Sequence, residues 1–145
     1  MRVRKMRRGM RIGSLGVILA TFWLGTSSGS AQDLEQVKVI FRHVIPNVEG
    51  KSMVAVVVIY PPGGKSPAHH HAPSSFIYAY VLSGTIRSQV GDAPAKVYKV
   101  GESFSELPGS YHRISENASD RDPARLLAIF VVDSNDTALT IPDQR

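Results

Sequence analysis

Beyond residue 35 the apolar residues come in short runs cut off by glycine and proline, and no stretch keeps a helical period. A chain punctuated this often cannot bury its apolar surface on long helices, so it must do so by pairing strands. Residues 37–44 (VKVIFRHV) and 52–60 (SMVAVVVIY) read as strands. The second is so rich in β-branched residues that burial on both faces is expected. Pro61-Pro62-Gly63-Gly64 ends it, because proline donates nothing to a ladder. Residues 76–82 (FIYAYVL), 85–90 (TIRSQV), 95–100 (AKVYKV), 111–115 (YHRIS) and 126–132 (LLAIFVV) follow as strands. Turns separate them at Ser83-Gly84, Gly91-Asp92, Gly101 and Leu107-Pro108-Gly109-Ser110. One more strand, before the Pro-Gly turn, carries Glu102 and Glu106. Short strands at this spacing define an all-β sandwich or small antiparallel barrel over about residues 37–132, with a polar peripheral tail at 133–145.

The length of 145 residues allows one domain. The absence of cysteine excludes disulfides, thiolate metal sites and thiol nucleophiles. The net charge of +5 suggests a nucleic-acid partner until its location is considered. Arg2, Arg4, Lys5, Arg7, Arg8 and Arg11 all precede an uncharged apolar stretch at 12–25, and small polar residues follow to Ala31. This is the three-part pattern of a secretory signal, with cleavage expected after Ala31. The apolar stretch falls short of the roughly 20 residues that span a bilayer, so an uncleaved anchor is the weaker reading. Arg7-Arg8 is a twin arginine, but Arg11 interrupts what should follow it. The expected product is residues 32–145, periplasmic or secreted and not inserted in a membrane. It carries 11 basic against 12 acidic residues, which removes the case for nucleic acid.

Five histidines carry the chemistry: His43, His69, His70, His71 and His112. In an extended chain residues two apart point the same way, so His69 and His71 share a face and His70 takes the other. Two imidazoles on one face can hold a divalent metal, and imidazole suits iron, zinc, copper and nickel. A third ligand must come from elsewhere, and His112, on another strand, is the candidate. His43 reads as a structural histidine. Phe76, Tyr78 and Tyr80 share one face of their strand, and Ile77, Ala79 and Val81 share the other. With the aromatic face inward, Tyr78 or Tyr80 would place a phenol near the metal as hydrogen-bond donor or proton shuttle. Arg87 and Arg113 read as solvated, although either could clamp a substrate carboxylate. Asn117-Ala118-Ser119 reads as a turn.

The order of these features resembles the cupin superfamily. Gly63, then His69-His70-His71, then Tyr80-Val81-Leu82-Ser83-Gly84 are similar to the first motif of that family. Gly101, Pro108-Gly109, His112 and Asn117 are similar to the second. The resemblance implies a jelly-roll-like antiparallel barrel, the double-stranded β-helix, with a metal held by His69, His71 and His112. Two departures stand out. The acid expected four residues after His71 is Ser75, and counting back seven from Gly84 gives Ile77. The second motif is also displaced by one residue at its proline and its asparagine. Either the site uses three histidines, as some cupin dioxygenases do with iron(II), or another carboxylate substitutes. Glu106 is the candidate for that, as a ligand or as an acceptor for an imidazole N–H. Glu102 reads as solvent-facing. The expected function is metal-dependent, dioxygenase-like oxidation of a small organic molecule. Iron(II) is favoured over zinc, copper, nickel or manganese. The alternative is a non-catalytic module that binds or senses a small molecule or metal. Exposed strand edges and the habit of small cupins point to a homodimer.

Overall fold

The computed structural model describes residues 35–143, so the expected signal segment and the expected cleavage after Ala31 lie outside the described residues. All the described residues lie within one compact unit. Ten strands run in order: β1 (Gln36–Val44), β2 (Lys51–Tyr60), β3 (His69–His71), β4 (Phe76–Ser83), β5 (Thr85–Val90), β6 (Lys96–Lys99), β7 (Ser103–Glu106), β8 (Tyr111–Asn117), β9 (Ala124–Asp133) and β10 (Thr140–Pro142). There is no helix among the described residues. Every strand expected from the sequence is present, with limits moved by at most two residues.

The strands form two five-stranded antiparallel sheets, ordered β1-β2-β9-β4-β7 and β10-β3-β8-β5-β6. The fold is therefore the all-β, jelly-roll arrangement that the spacing of turns dictates. The first sheet supplies nearly all the apolar core: Val54, Val56 and Val58 of β2, Ile77, Ala79 and Val81 of β4, and Leu126, Ala128, Phe130 and Val132 of β9. Each large aliphatic side chain buried there contributes about 1.5–3 kcal/mol. The second sheet buries Ile86, but otherwise turns polar groups inward: His69, His71, Ser88, His112, Ser115 and Asn117. One wall of the barrel is greasy and the other is a wall of donors and acceptors.

The turns fit their residues. Gly84 joins β4 to β5 at φ +69°, and a Cβ there would stand 2.7 Å from the Pro123 carbonyl oxygen. Only glycine allows both the conformation and the approach. Buried Asn117 clamps the neighbouring loop, donating to the carbonyls of Pro61 (3.0 Å) and Asp122 (2.7 Å) and accepting from Ser119 N–H. Residues Val54 to Val58 of β2 are buried on both faces, as its composition requires.

Two expectations are corrected. The aromatic face of β4 points outward: Phe76 and Tyr78 are 43% and 41% exposed, Tyr80 is half-buried, and Ile77, Ala79 and Val81 are buried. β9 is the reason. Its Phe130 and Leu126 stand opposite Ile77 and Val81, and the four pack together on the inward face of the sheet. Tyr78 and Tyr80 therefore present no phenol to the histidines. The tail is not merely peripheral either. Thr140–Pro142 pairs with β3, setting Thr140 opposite His71 and Pro142 opposite His69. A three-residue strand held by β8 on one side leaves backbone groups unpaired on the other, and the tail satisfies them.

The barrel is unevenly closed. Between β6 and β7 the Tyr98 and Phe104 rings pack 4.8 Å apart. At the opposite margin β1 and β10 are both edge strands, and all nine residues of β1 are exposed.

Candidate metal centre

The alternation of β3 sends His69 and His71 inward and His70 outward, where it stacks on Tyr111 with centroids 4.6 Å apart. His112 of β8 is the register partner of His69, and residues directly opposite share a face. Strict alternation along β8 would not keep His112 and Ser115 on one side. A bulge does so: Gln89 pairs with Ile114 and Val90 with His112, leaving Arg113 without a partner. The extra residue turns His112 to the side that Ser115 and Asn117 occupy. His69, His71 and His112 are all buried, and one nitrogen from each lies within 4.8 Å of the others.

The backbone selects the tautomers. Nδ1 of His71 lies 2.9 Å from the Leu139 carbonyl oxygen and Nδ1 of His69 lies 2.8 Å from that of Pro67. A carbonyl can only accept, so in each neutral ring the proton sits on Nδ1 and Nε2 presents a lone pair to the interior. His112 has Nε2 2.9 Å from Ser88 Oγ and Nδ1 turned toward Glu106. Burial, reinforced by the neighbouring imidazoles and opposed by the Pro67 hydrogen bond, brings the His69 pKa down to about 4. His69 is therefore neutral and competent as a ligand at pH 7.

Glu106 completes the cluster. It is 3% exposed, with Oε2 3.2 Å from His71 Nε2 and Oε1 3.3 Å from His112 Nδ1. Burial alone would raise its pKa. The imidazoles against it outweigh that and hold the carboxyl at about 2, so it is ionised. Its register partner on β4 is Ile77, one of the two positions where the missing acid was sought. The carboxylate has moved across to the adjacent strand and faces the same interior. Ser75, the other such position, is fully buried, and its hydroxyl has no partner among the described residues.

The residues fit a metal. His71 Nε2 and Glu106 Oε2 are both buried, both lack a hydrogen-bond partner among the described residues, and face each other at 3.2 Å. Two lone pairs at that separation repel, so what belongs between them is positive: an imidazolium proton or a metal ion. Three imidazoles converging on one point suit the metal, because charging one of them places it against its neighbours.

The remaining groups lie elsewhere. Glu102 is exposed and accepts from Lys99 N–H. Arg87 pairs with Glu116, and Arg113 with Asp92, at exposed positions. His43 is exposed on β1. Ser88 and the Leu139 carbonyl are the site components that sequence reasoning missed. Ser88 shares parity with Ile86 and Val90, a pattern that marks it as inward, whereas nothing marks the carbonyl.

The cluster opens into a cavity of about 230 Å3, lined by Val56, Val58, Leu126, Ala128 and Phe130 on the greasy wall and by Tyr60, Ser66 and Ser115 at a polar corner. Val37 of β1 and Thr140 of β10 reach it at the open margin.

Two facing antiparallel sheets with a polar, histidine-bearing inner wall define a double-stranded β-helix able to hold a metal. The chain belongs to the cupin domain family, whose model matches residues 56–130. No curated protein sequence matches it. Among solved structures it is similar to a double-stranded β-helix protein from Klebsiella pneumoniae (20% identity, TM-score 0.57, covering 75% of this chain and 85% of that one). It is also similar to the Schizosaccharomyces pombe Cnp3 cupin domain (22%, 0.56, covering 74% and 71%). An oxalate oxidase in complex with glycolate is similar at 22% and 0.54, but the match covers 70% of this chain and only 52% of that one. These likenesses establish the fold.

Proposed function

We propose that this protein is an exported, metal-dependent oxidoreductase of dioxygenase-like chemistry acting on a small organic molecule. The observation that carries the metal is the convergence of three buried imidazoles within 4.8 Å of one another, with the buried Glu106 Oε2 3.2 Å from His71 Nε2. His69, His71 and His112 would hold the ion, with Glu106 as fourth ligand or as the charge balancing it. Iron(II) is the favoured metal. Bound there, it would supply redox chemistry and vacant positions for substrate and oxygen. The chain's own residues do the rest. Pro67, Ser88 and Leu139 fix the rings, and the greasy wall excludes water from one side of the cavity. The likeness to an oxalate oxidase supports an oxidative reading at the level of family chemistry only.

The test has two parts. The purified chain should carry close to one transition metal per molecule by mass spectrometry, and a His69→Ala/His112→Ala variant should carry none. The iron-loaded protein should then consume oxygen with at least one of a panel of phenols, diketones and thiols. Metal without turnover, but with saturable ligand binding, would replace the enzyme by a binding or sensing module.

We further propose a homodimer. Val37, Val39, Ile40, Phe41 and Val44 are each about half exposed on an edge strand with one ladder side unpaired. Light-scattering chromatography should give twice the chain mass, and Phe41→Lys should halve it.

A further inference from the structure

The proton arithmetic of the polar corner says what kind of molecule the cavity takes. Tyr60 is 1% exposed, and its hydroxyl lies 2.8 Å from both Ser66 Oγ and Ser115 Oγ. Ser66 in turn hydrogen-bonds the Glu35 carboxylate. Each hydroxyl has one proton and the carboxylate only accepts, so the directions are fixed in sequence. Ser66 donates to Glu35. Ser66 then has no proton left for Tyr60, so Tyr60 donates to Ser66. Tyr60 likewise has none left for Ser115, so Ser115 donates to Tyr60. The relay Ser115→Tyr60→Ser66→Glu35 uses every O–H it contains and offers its surroundings only lone pairs.

The rest of the lining agrees. It contains no lysine or arginine, its two acidic residues are Glu35 and Glu106, and its remaining surface is mostly apolar. A carboxylate or other anion entering it would find no cation from the chain beyond the metal position. A carbonyl at the Tyr60–Ser66–Ser115 corner would meet oxygen lone pairs, the lining's other hydroxyl being that of Thr140 at the open margin. A hydroxyl or amine brings its own proton and satisfies the relay. The volume, about 230 Å3, lies below the roughly 300–1,000 Å3 of pockets for drug-sized ligands, so the molecule is small.

We infer that the cavity selects a small, mainly hydrocarbon molecule bearing a hydrogen-bond donor, a hydroxyl or an amine, which docks on the Tyr60–Ser66–Ser115 corner. This rests on the same cavity as the proposed function and names the substrate class for it, but it does not depend on the metal.

Four probes of one shape test it: cyclohexanol, cyclohexylamine, cyclohexanone and cyclohexanecarboxylate. Each is titrated calorimetrically into the full chain after removal of metal by chelation, so redox competence plays no part. Cyclohexanol and cyclohexylamine are expected to bind at least about tenfold tighter than the ketone and the carboxylate, because an unpaired buried acceptor is the price of the wrong group. Ser66→Ala, a substitution in a loop, breaks the relay and frees the Tyr60 proton. The ketone should then gain, and the alcohol-to-ketone ratio should fall toward one. Equal or tighter binding of the ketone or carboxylate by the unaltered chain, no binding of any probe, or a ratio unmoved by Ser66→Ala would each overturn the inference. Failure of the metal-loading test would leave these ratios untouched.

Discussion

A neutral imidazole has one proton, and in His69 and His71 backbone carbonyls decide where it sits. Leu139 and Pro67 hold the protons of His71 and His69 on Nδ1, and Ser88 holds the far side of His112. Partners of this kind typically change metal affinity by about 10–100-fold when removed. Ser88→Ala should therefore weaken metal binding by about that factor without abolishing it, as read by competition with a chromogenic chelator. An unchanged affinity would mean that packing alone orients the His112 ring. At this scale the sequence was partly legible. The pairing of His69 with His71 follows from the period of a strand, and burial of both matches it. Glu106 could be named only as one of two options, because its nearness to the histidines depends on which strand lies beside β4. Ser88 escaped notice because a small polar residue in an alternating strand also reads as a surface position.

At the scale of elements, strand phase decides what enters the barrel, and phase is where the sequence misled. FIYAYVL alternates aromatic with aliphatic residues, and either face could be buried on pattern alone. The answer lies on β9, whose Phe130 and Leu126 stand opposite Ile77 and Val81 and pack with them on the inward face. A strand cannot announce which face its neighbour turns inward. The bulge in β8 was equally silent, since alternation counted from Ser115 sends His112 outward. Deleting Arg113 removes the extra residue and sets His112 directly before Ile114, where plain alternation from Ser115 still sends it inward and the pairing with Val90 is kept. The deletion variant should therefore keep both the far-ultraviolet circular dichroism of a β-protein and its metal content. A drop in metal content to the level of the His69→Ala/His112→Ala variant would show that the local geometry of the bulge, and not strand phase alone, positions His112.

For the whole molecule, the contrast between a greasy and a polar wall concentrates strain at high pH on one residue. Burial, the largest influence, raises the Tyr60 pKa from 10.0 to about 12 against the lowering effect of its serine partners. The folded chain keeps this proton between those values and the unfolded chain releases it. The stabilisation is therefore fully present below pH 10 and is lost as pH rises toward 12, by about 3 kcal/mol. Urea midpoints between pH 9 and 12 should fall more steeply for the unaltered protein than for Tyr60→Phe; parallel slopes would exclude this origin. The barrel itself was legible because short runs and Gly/Pro turns admit no other class. The role of its last strand was not, since residues 133–145 look polar and peripheral. The residue just before that strand sets the proton of His71 through its carbonyl, that of Leu139, an atom every amino acid possesses. Point substitution at 139 cannot remove it, and the Leu139 side chain answers only to its packing against the core. A single-residue insertion or deletion between 134 and 138 would instead shift the carbonyl out of register. The C-terminal stretch of this chain should thus tolerate variation in letters and resist variation in length.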